Sequence, residues 1–407
     1  PAPAPAPAPR APIRPPQGVP PRRECPSPLA GRGRGRPPGG RISRRGMMGA
    51  GRALRVLWCG EPEFGAGFRA VRGALRDAGR LGGGAGGVEV ERCARGDLPR
   101  RLGWADVAVP LMARMDADLL GKWTREGEGG AGSGFPRGVF QFGVGLEGVD
   151  VDAATREGVW VSNIPSSAVP GNPNAASCAE MAMLLALACL RRWNAMQAAV
   201  RARESGLPMG DSLLGKRCLV VGYGNIAQEL ITRLQAFGAG ISAVRRRAWA
   251  AEDGCEPSGG VAQRAFAALD GRGSGRDDLL AMAADADVVF LTCVQNEETQ
   301  GMVDTEFLSS CKDGVMIINV ARGGLLDYDA VKSGLDSGKV GGLGLDVQWH
   351  EPFDPEDYIA RHERVVLTPH VAGVTGLSYS AMGLYMAEKL IRLKDEGAAP
   401  LSHERVH

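Results

Sequence analysis

Short apolar runs alternate with stretches of helical period along most of the chain. Leu54–Cys59 (LRVLWC), residues 106–110 (DVAVP) and residues 139–143 (VFQFG) read as strands bounded by polar or glycine-rich pieces. A second series follows at 217–221, 241–244, 287–292, 315–319, 342–346 and 365–368. Strands separated by helical segments predict parallel sheets, because a parallel pair needs a long crossover between its members. The second series has a doubly wound pattern. Between the two series, residues 174–205 predict a long helical stretch. Its most apolar part, 181–190, stops at Arg191-Arg192, too short to span a bilayer, and reads as a buried helix. Glycine-rich pieces at 82–87 and 127–134 predict surface insertions, and 254–278 a variable loop with a short helix.

Composition adds organisation. A chain of 407 residues with 44% hydrophobic content accommodates two or three ordinary domains. The net charge of +2 is unevenly spread: residues 1–52 hold eleven arginines and one acid, so the rest is net acidic. Nucleic-acid binding and membrane insertion are therefore not expected of the folded part. Residues 1–52, rich in Pro, Arg and Gly, cannot bury a core and predict a disordered tail. Two readings of that tail stand side by side. It resembles a transit peptide for a plastid or mitochondrion, or Met47 or Met48 is the true start of a cytosolic protein. Nine scattered cysteines without a CxxC pair predict neither a disulfide framework nor a zinc site, and favour a reducing, intracellular compartment.

The chemistry-bearing stretch is GYGNIA, 222–227, between an apolar strand and a helix whose Ile226, Leu230, Ile231, Leu234 and Phe237 share a face before Gly238. The first glycine permits a tight turn and the second a close backbone approach to a pyrophosphate. The helix amino end supplies amides to the anion. Gly222, Tyr223, Gly224, Asn225 and Ile226 are thus candidate dinucleotide contacts; the competing reading is an ordinary strand–turn–helix unit. An acid is expected about 20 residues further on to bind a ribose. Arg245-Arg246-Arg247 stands there instead. Arg245 and Arg246 suit the 2′-phosphate of NADP, or else form a solvated basic turn.

Three more motifs, INVARGGLLD (318–327), GLGLDVQWHEPFDP (342–355) and TPHVAGVT (368–375), complete a pattern with GYGNIA. Over about residues 53–395 the chain strongly resembles the D-isomer-specific 2-hydroxyacid dehydrogenases, its plant and algal members above all. The resemblance implies an α/β protein with a Rossmann-type NAD(P)-binding domain (172–368) inserted in a flavodoxin-like substrate domain (53–171 plus 369–400). It implies hydride transfer between a nicotinamide and a small 2-oxo acid. Arg322 matches the substrate-gripping arginine, His370 the general acid/base and Glu351 the carboxylate paired with it. Val144 and Gly145 match a loop that meets the substrate carboxylate. Thr292, Cys293, Val320, Ala321 and Asp346 match cofactor-lining positions. His350, next to Glu351, is the rival histidine. A homodimer through the cofactor domain is also implied; no metal is.

Two positions depart from the family pattern. Val294 replaces a usual proline after Thr292, and 110–116 (PLMARMD) lacks the common Arg-Ser pair, which weighs against a phosphorylated substrate. The leading expectation is an NADP-preferring glyoxylate or hydroxypyruvate reductase, with NAD possible. The alternatives are an NAD-dependent dehydrogenase of another D-2-hydroxy acid, such as 3-phosphoglycerate, and a dinucleotide-sensing scaffold like the co-repressors of this fold.

Overall fold

The structure is a computed structural model and describes residues 52–60, 65–126, 135–165, 168–250 and 260–396. Residues 1–51 of the leader, the 127–134 insertion and residues 254–259 lie outside the described residues. Arg52, assigned to the tail by the sequence, instead pairs with the buried Asp106 at 2.6 Å and belongs to the fold.

Two parallel sheets carry the fold. The first contains β1 (Leu54–Cys59), β2 (Val88–Cys93), β3 (Val107–Pro110), β4 (Gly138–Phe140) and β5 (Trp160–Ser162), in the order β2-β1-β3-β4-β5. The second contains β6 (Arg217–Val221), β7 (Gly240–Arg245), β8 (Gly271–Ser274), β9 (Val288–Leu291), β10 (Val315–Asn319), β11 (Val340–Leu345) and β12 (Val365–Leu367). Its order is β12-β11-β10-β9-β6-β7-β8. The first order is flavodoxin-like and the second Rossmann-like, so the α/β expectation holds. Each sheet reverses direction once, between β1 and β3 and between β6 and β9. Ligands collect at the carboxyl ends of such switch points.

The long helical stretch is two helices, Pro173–Leu190 and Trp193–Ala202, broken where Arg192 adopts φ +55°. By length and composition Pro173–Leu190 could cross a membrane, longer than the apolar run in the sequence indicates. Yet 67% of it is buried inside the fold, against β10, β11 and the helix Asn225–Ala236. Segment 254–278 includes a helix, Val261–Ala267, and the unanticipated edge strand β8. Strands β2 and β5 are also absent from the sequence pattern. Phe237 does not join the buried face of its helix: it lies past the last turn and is half exposed, while Gly238 takes φ +73°.

The chain returns to the first sheet at its end. Helix Gly376–Glu396 lays Tyr379, Met382, Met386 and Leu390 into the core of β1 and β4, beside Trp58, Phe140 and Phe142. It also crosses the helix Gly65–Asp77 closely. A side chain at Gly383 would stand 2.8 Å from Ala70 Cβ and from Gly67 O. Overpacking such a contact costs ~1–3 kcal/mol. Gly383→Val therefore lowers the melting temperature by several degrees, read by circular dichroism; an unchanged transition would show slack between the helices.

Candidate active site

Of the cofactor-binding candidates, residues 222–226 and 292–293 sit at the β6/β9 switch point, while Arg245 and Arg246 lie at the end of β7, Val320 and Ala321 after β10, and Asp346 after β11. Gly222 leaves β6 with φ +104°, and a side chain there would come within 2.9–3.1 Å of the Thr292–Cys293 backbone. Glycine is thus needed both for the turn and for the approach. Gly224 precedes the helix Asn225–Ala236, and a Cβ on it meets nothing within 4 Å, so space is open beside the helix's first turn. Asn225 and Ile226 form that turn. Open space over the amide end of a helix suits a phosphate, so these residues fit a dinucleotide. Tyr223 packs edge-on to Trp249 at 4.7 Å, and the Thr292 hydroxyl donates to Val221 O at 3.0 Å. Burial pushes the Cys293 thiol up to about 11, which keeps it neutral near pH 7.

The arginine turn has its own internal contacts. Arg245 Nε donates to Arg247 O at 3.0 Å and its Nη2 to Ala248 O at 2.6 Å, while the guanidinium lies 4.3 Å from the Trp249 ring. Arg246 pairs with Glu298 at 3.3 Å. Both positive charges stay at the end of β7, but part of their donor capacity is already committed.

Arg322, Glu351 and His370 follow three adjacent strands and converge. Asn319, fully buried at the end of β10, staples the first turn: its Nδ2 donates to Arg322 O (2.8 Å), and its Oδ1 accepts from Ala321 N (3.0 Å). Val320 and Ala321 are buried within that turn. A side chain on Gly323 would collide with the Gln348 carbonyl, so glycine lets the Arg322 turn touch the loop that carries Glu351. Trp349 Nε1 donates to Leu326 O at 2.7 Å and pins that loop from the other side.

His370 Nδ1 stands 2.7 Å from Glu351 Oε2, and Glu351 Oε1 accepts from Gln348 N at 3.2 Å. The hydrogen bond to Glu351 raises the His370 pKa above its ordinary 6.5, against the opposing pull of burial and of Arg322. For Glu351, burial pushes upward, but the bond to His370 and its charge prevail and hold the carboxyl below its usual range. The imidazolium–carboxylate state is thus favoured. His350 is exposed; the ring that meets Glu351 is His370. Asp346 turns inward, onto the segment bearing His370, with its carboxylate accepting from Thr368, Val371 and Ala372.

From the first sheet, the loop after β4 reaches the same place. Asn163 Nδ2 holds Val144 O at 2.7 Å, and Gly145 lies so close to Arg322 Nη2 that a side chain would collide with it. Glu147 accepts from Arg322 Nε at 2.7 Å and from Nη2 at 3.4 Å. Sequence reasoning missed both Glu147 and the staple Asn319. For Asn319 a signal existed, an amide closing an apolar strand; for Glu147 none did.

The geometry agrees with sequence comparison. The family described as D-isomer specific 2-hydroxyacid dehydrogenase, NAD binding domain, matches residues 183–372. A hydroxypyruvate reductase of Thermotoga maritima is 33% identical over 262 residues, covering 62% of this chain and 76% of that protein. The chain belongs to the D-isomer specific 2-hydroxyacid dehydrogenase family. It is an NAD(P)-dependent D-2-hydroxyacid dehydrogenase family enzyme. A D-3-phosphoglycerate dehydrogenase of Mycobacterium leprae is 37% identical over 254 residues, 62% of this chain, but the match spans only 44% of that protein's length. Among solved structures, the pyruvate reductase of Chlamydomonas reinhardtii superposes with TM-score 0.66 at 22% identity, covering 88% of this chain and 100% of that one. That likeness concerns the fold.

In this dehydrogenase the contact at Gly323 is a sensitive point. A Gly323→Ala substitution pushes the Arg322 turn off the Glu351 loop, and a displacement of about 1 Å costs ~10²-fold in turnover. The loss is read as kcat, with circular dichroism confirming a retained fold. Wild-type turnover would show that the two loops are free to part.

Proposed function

We propose that this dehydrogenase reduces a small 2-oxo acid, glyoxylate or hydroxypyruvate, and prefers NADPH to NADH. The observation that carries the reading is the convergence of Arg322 with the His370–Glu351 pair at 2.7 Å. Such a site holds a carboxylate and delivers a proton beside it. Support for the substrate comes from the relative matched over most of its length, whose name is hydroxypyruvate reductase. Support for NADPH comes from the β7 terminus, which ends in Arg245 and Arg246 without an acid. The internal bonds of Arg245 favour a second reading, an enzyme that also accepts NADH. The proposed division into a cofactor domain (172–368) and a substrate domain (53–171 plus 369–400) follows the two sheets.

The nicotinamide supplies the hydride when bound, with Asp346, Val320 and Ala321 proposed on its side of the cleft. Arg322 grips the substrate carboxylate through its guanidinium fork. Since Nδ1 of His370 is held by Glu351, Nε2 is the nitrogen left to protonate the carbonyl oxygen. Glu351 keeps the ring charged and oriented before transfer.

We also propose a homodimer. Leu184, Trp193, Val200 and Met209 leave large apolar side chains exposed on and after the two helices Pro173–Leu190 and Trp193–Ala202, with Met209 at 89%. Light scattering at micromolar concentration is expected to give twice the monomer mass, and a monomer would end this proposal.

With residues 52–407, NADPH consumption is expected with glyoxylate or hydroxypyruvate and to exceed the rate with NADH. His370→Ala lowers kcat/KM by about 10²–10⁴-fold. No turnover of either acid in the presence of bound dinucleotide would reject the reductase reading. The pH profile has a fixed sign. The protonated His370 is the active form for reduction, so the rate holds at low pH and falls as pH rises through a midpoint above 6.5. Glu351→Gln removes the cause of the upward shift and moves that midpoint down; an unmoved midpoint would assign the limb to another group.

A further inference from the structure

We propose that Glu147 determines substrate specificity, admitting a 2-oxo acid with one negative charge and disfavouring one with a second. The inference deepens the reductase reading and rests on it for the placement of a substrate carboxylate on Arg322.

A guanidinium has five N–H donors. In Arg322 one is the Nε–H, which donates to Glu147 Oε1 at 2.7 Å; Nη2 donates to Glu147 Oε2 at 3.4 Å, and Nη1 to Ala321 O at 2.7 Å. Two N–H groups remain, one on each terminal nitrogen. They are the donors left for a substrate carboxylate. Glu147 thus occupies the side edge of Arg322, on Nε and Nη2, and leaves one N–H on each terminal nitrogen. It is a standing neighbour of the substrate position, not a rival for it.

Its backbone is fixed. Met115 N donates to Gly148 O at 2.8 Å and Asp150 N to Met115 O at 2.9 Å, while Asp150 caps the helix Val151–Arg156. The turn 146–149 is closed by Val149 N on Leu146 O at 2.8 Å. Gly145, pressed against both Arg322 and Glu147, permits the approach. The charge also persists. The Glu147 side chain is 68% exposed, so water keeps the carboxylate solvated. Burial pushes its pKa up, but the hydrogen bond and charge of Arg322 and the charge of His370 hold it below the usual carboxylate range.

The result is one fixed negative charge beside Arg322. Glu147 balances Arg322 and Glu351 balances His370, so these four groups sum to zero and a monoanionic 2-oxo acid already leaves one net negative charge among them. A second anionic group, a phosphate or another carboxylate, must enter the field of Glu147. At about 7 Å with partial screening by water, two like charges alter affinity by about tenfold.

Oxamate and oxalate test this, since they share size and shape but carry one and two negative charges. Their dissociation constants are measured by calorimetry on the dinucleotide-loaded dimer or monomer as it is isolated. The wild type is expected to bind oxamate more tightly. In Glu147→Gln the oxalate-to-oxamate ratio of dissociation constants falls about tenfold, while Glu147→Asp keeps the wild-type ratio. Raising the ionic strength narrows the wild-type ratio in the same direction. A ratio unmoved in Glu147→Gln, with both ligands weakened alike, would mean that Glu147 merely holds Arg322, and would overturn the inference. Turnover failing with every 2-oxo acid would refute the reductase reading separately, because the binding ratio does not depend on turnover.

Discussion

Asp346 ends β11 with its carboxylate turned into the protein, 1% exposed, where it accepts from the Thr368 hydroxyl at 2.6 Å, Val371 N at 2.9 Å and Ala372 N at 2.8 Å. Three donors offset much of the cost of removing an ionised carboxylate from water, though burial still pushes its pKa up. Its own carbonyl accepts from His370 N at 2.8 Å. The turn after β12 is therefore held from both sides of one residue. This matters because His370 has φ +56°, a conformation that non-glycine residues seldom adopt. The surrounding bonds hold the ring where Glu351 meets it. The other two site loops lean on this arrangement in turn, through Gln348 N on Glu351 and Gly323 against Gln348.

Strand pairing explains why three separated motifs meet. β10, β11 and β12 lie side by side and parallel, so their carboxyl ends share one edge. Each following loop then needs only a short reach. The fourth contribution comes from the other sheet, through Glu147 after β4. On the proposed roles, one sheet supplies the groups that would handle the proton, and the other adds a charge next to Arg322. Loops after β4 can vary without disturbing the His370–Glu351 geometry, which is anchored entirely within the second sheet.

Much of this was readable in the residues, for a physical reason. Strands such as β6 and β10 are covered on both faces, so they are continuous apolar runs that the sequence displays openly. Edge strands hide better. β2 (VEVERC) alternates, β5 has only three residues, and β8 (GRGS) has no apolar side chain; it exists because it pairs with β7. In the site, Arg322, Glu351 and His370 stood in recognisable motifs. Glu147 did not, since an acid in a glycine-rich turn reads as solvated and its partner lies 175 residues away. For Asp346, the sequence offered a cofactor contact, whereas the donors that bind its carboxylate lie 22 to 26 residues further on. Arg245 was visible as a charge, but its folding back onto Trp249 was not.

The chain passes between the two sheets twice, once into the helix Pro173–Leu190 and once into the helix Gly376–Glu396. The two passages touch: Ser177 Oγ lies 2.9 Å from Thr375 Oγ1, and Ser378 Oγ donates to Asn174 Oδ1 at 3.1 Å. These contacts fasten the two crossings to each other, so the sheet that brings Glu147 and the sheet that brings Arg322 are joined at two separate places, at the crossings and at the Glu147–Arg322 ion pair.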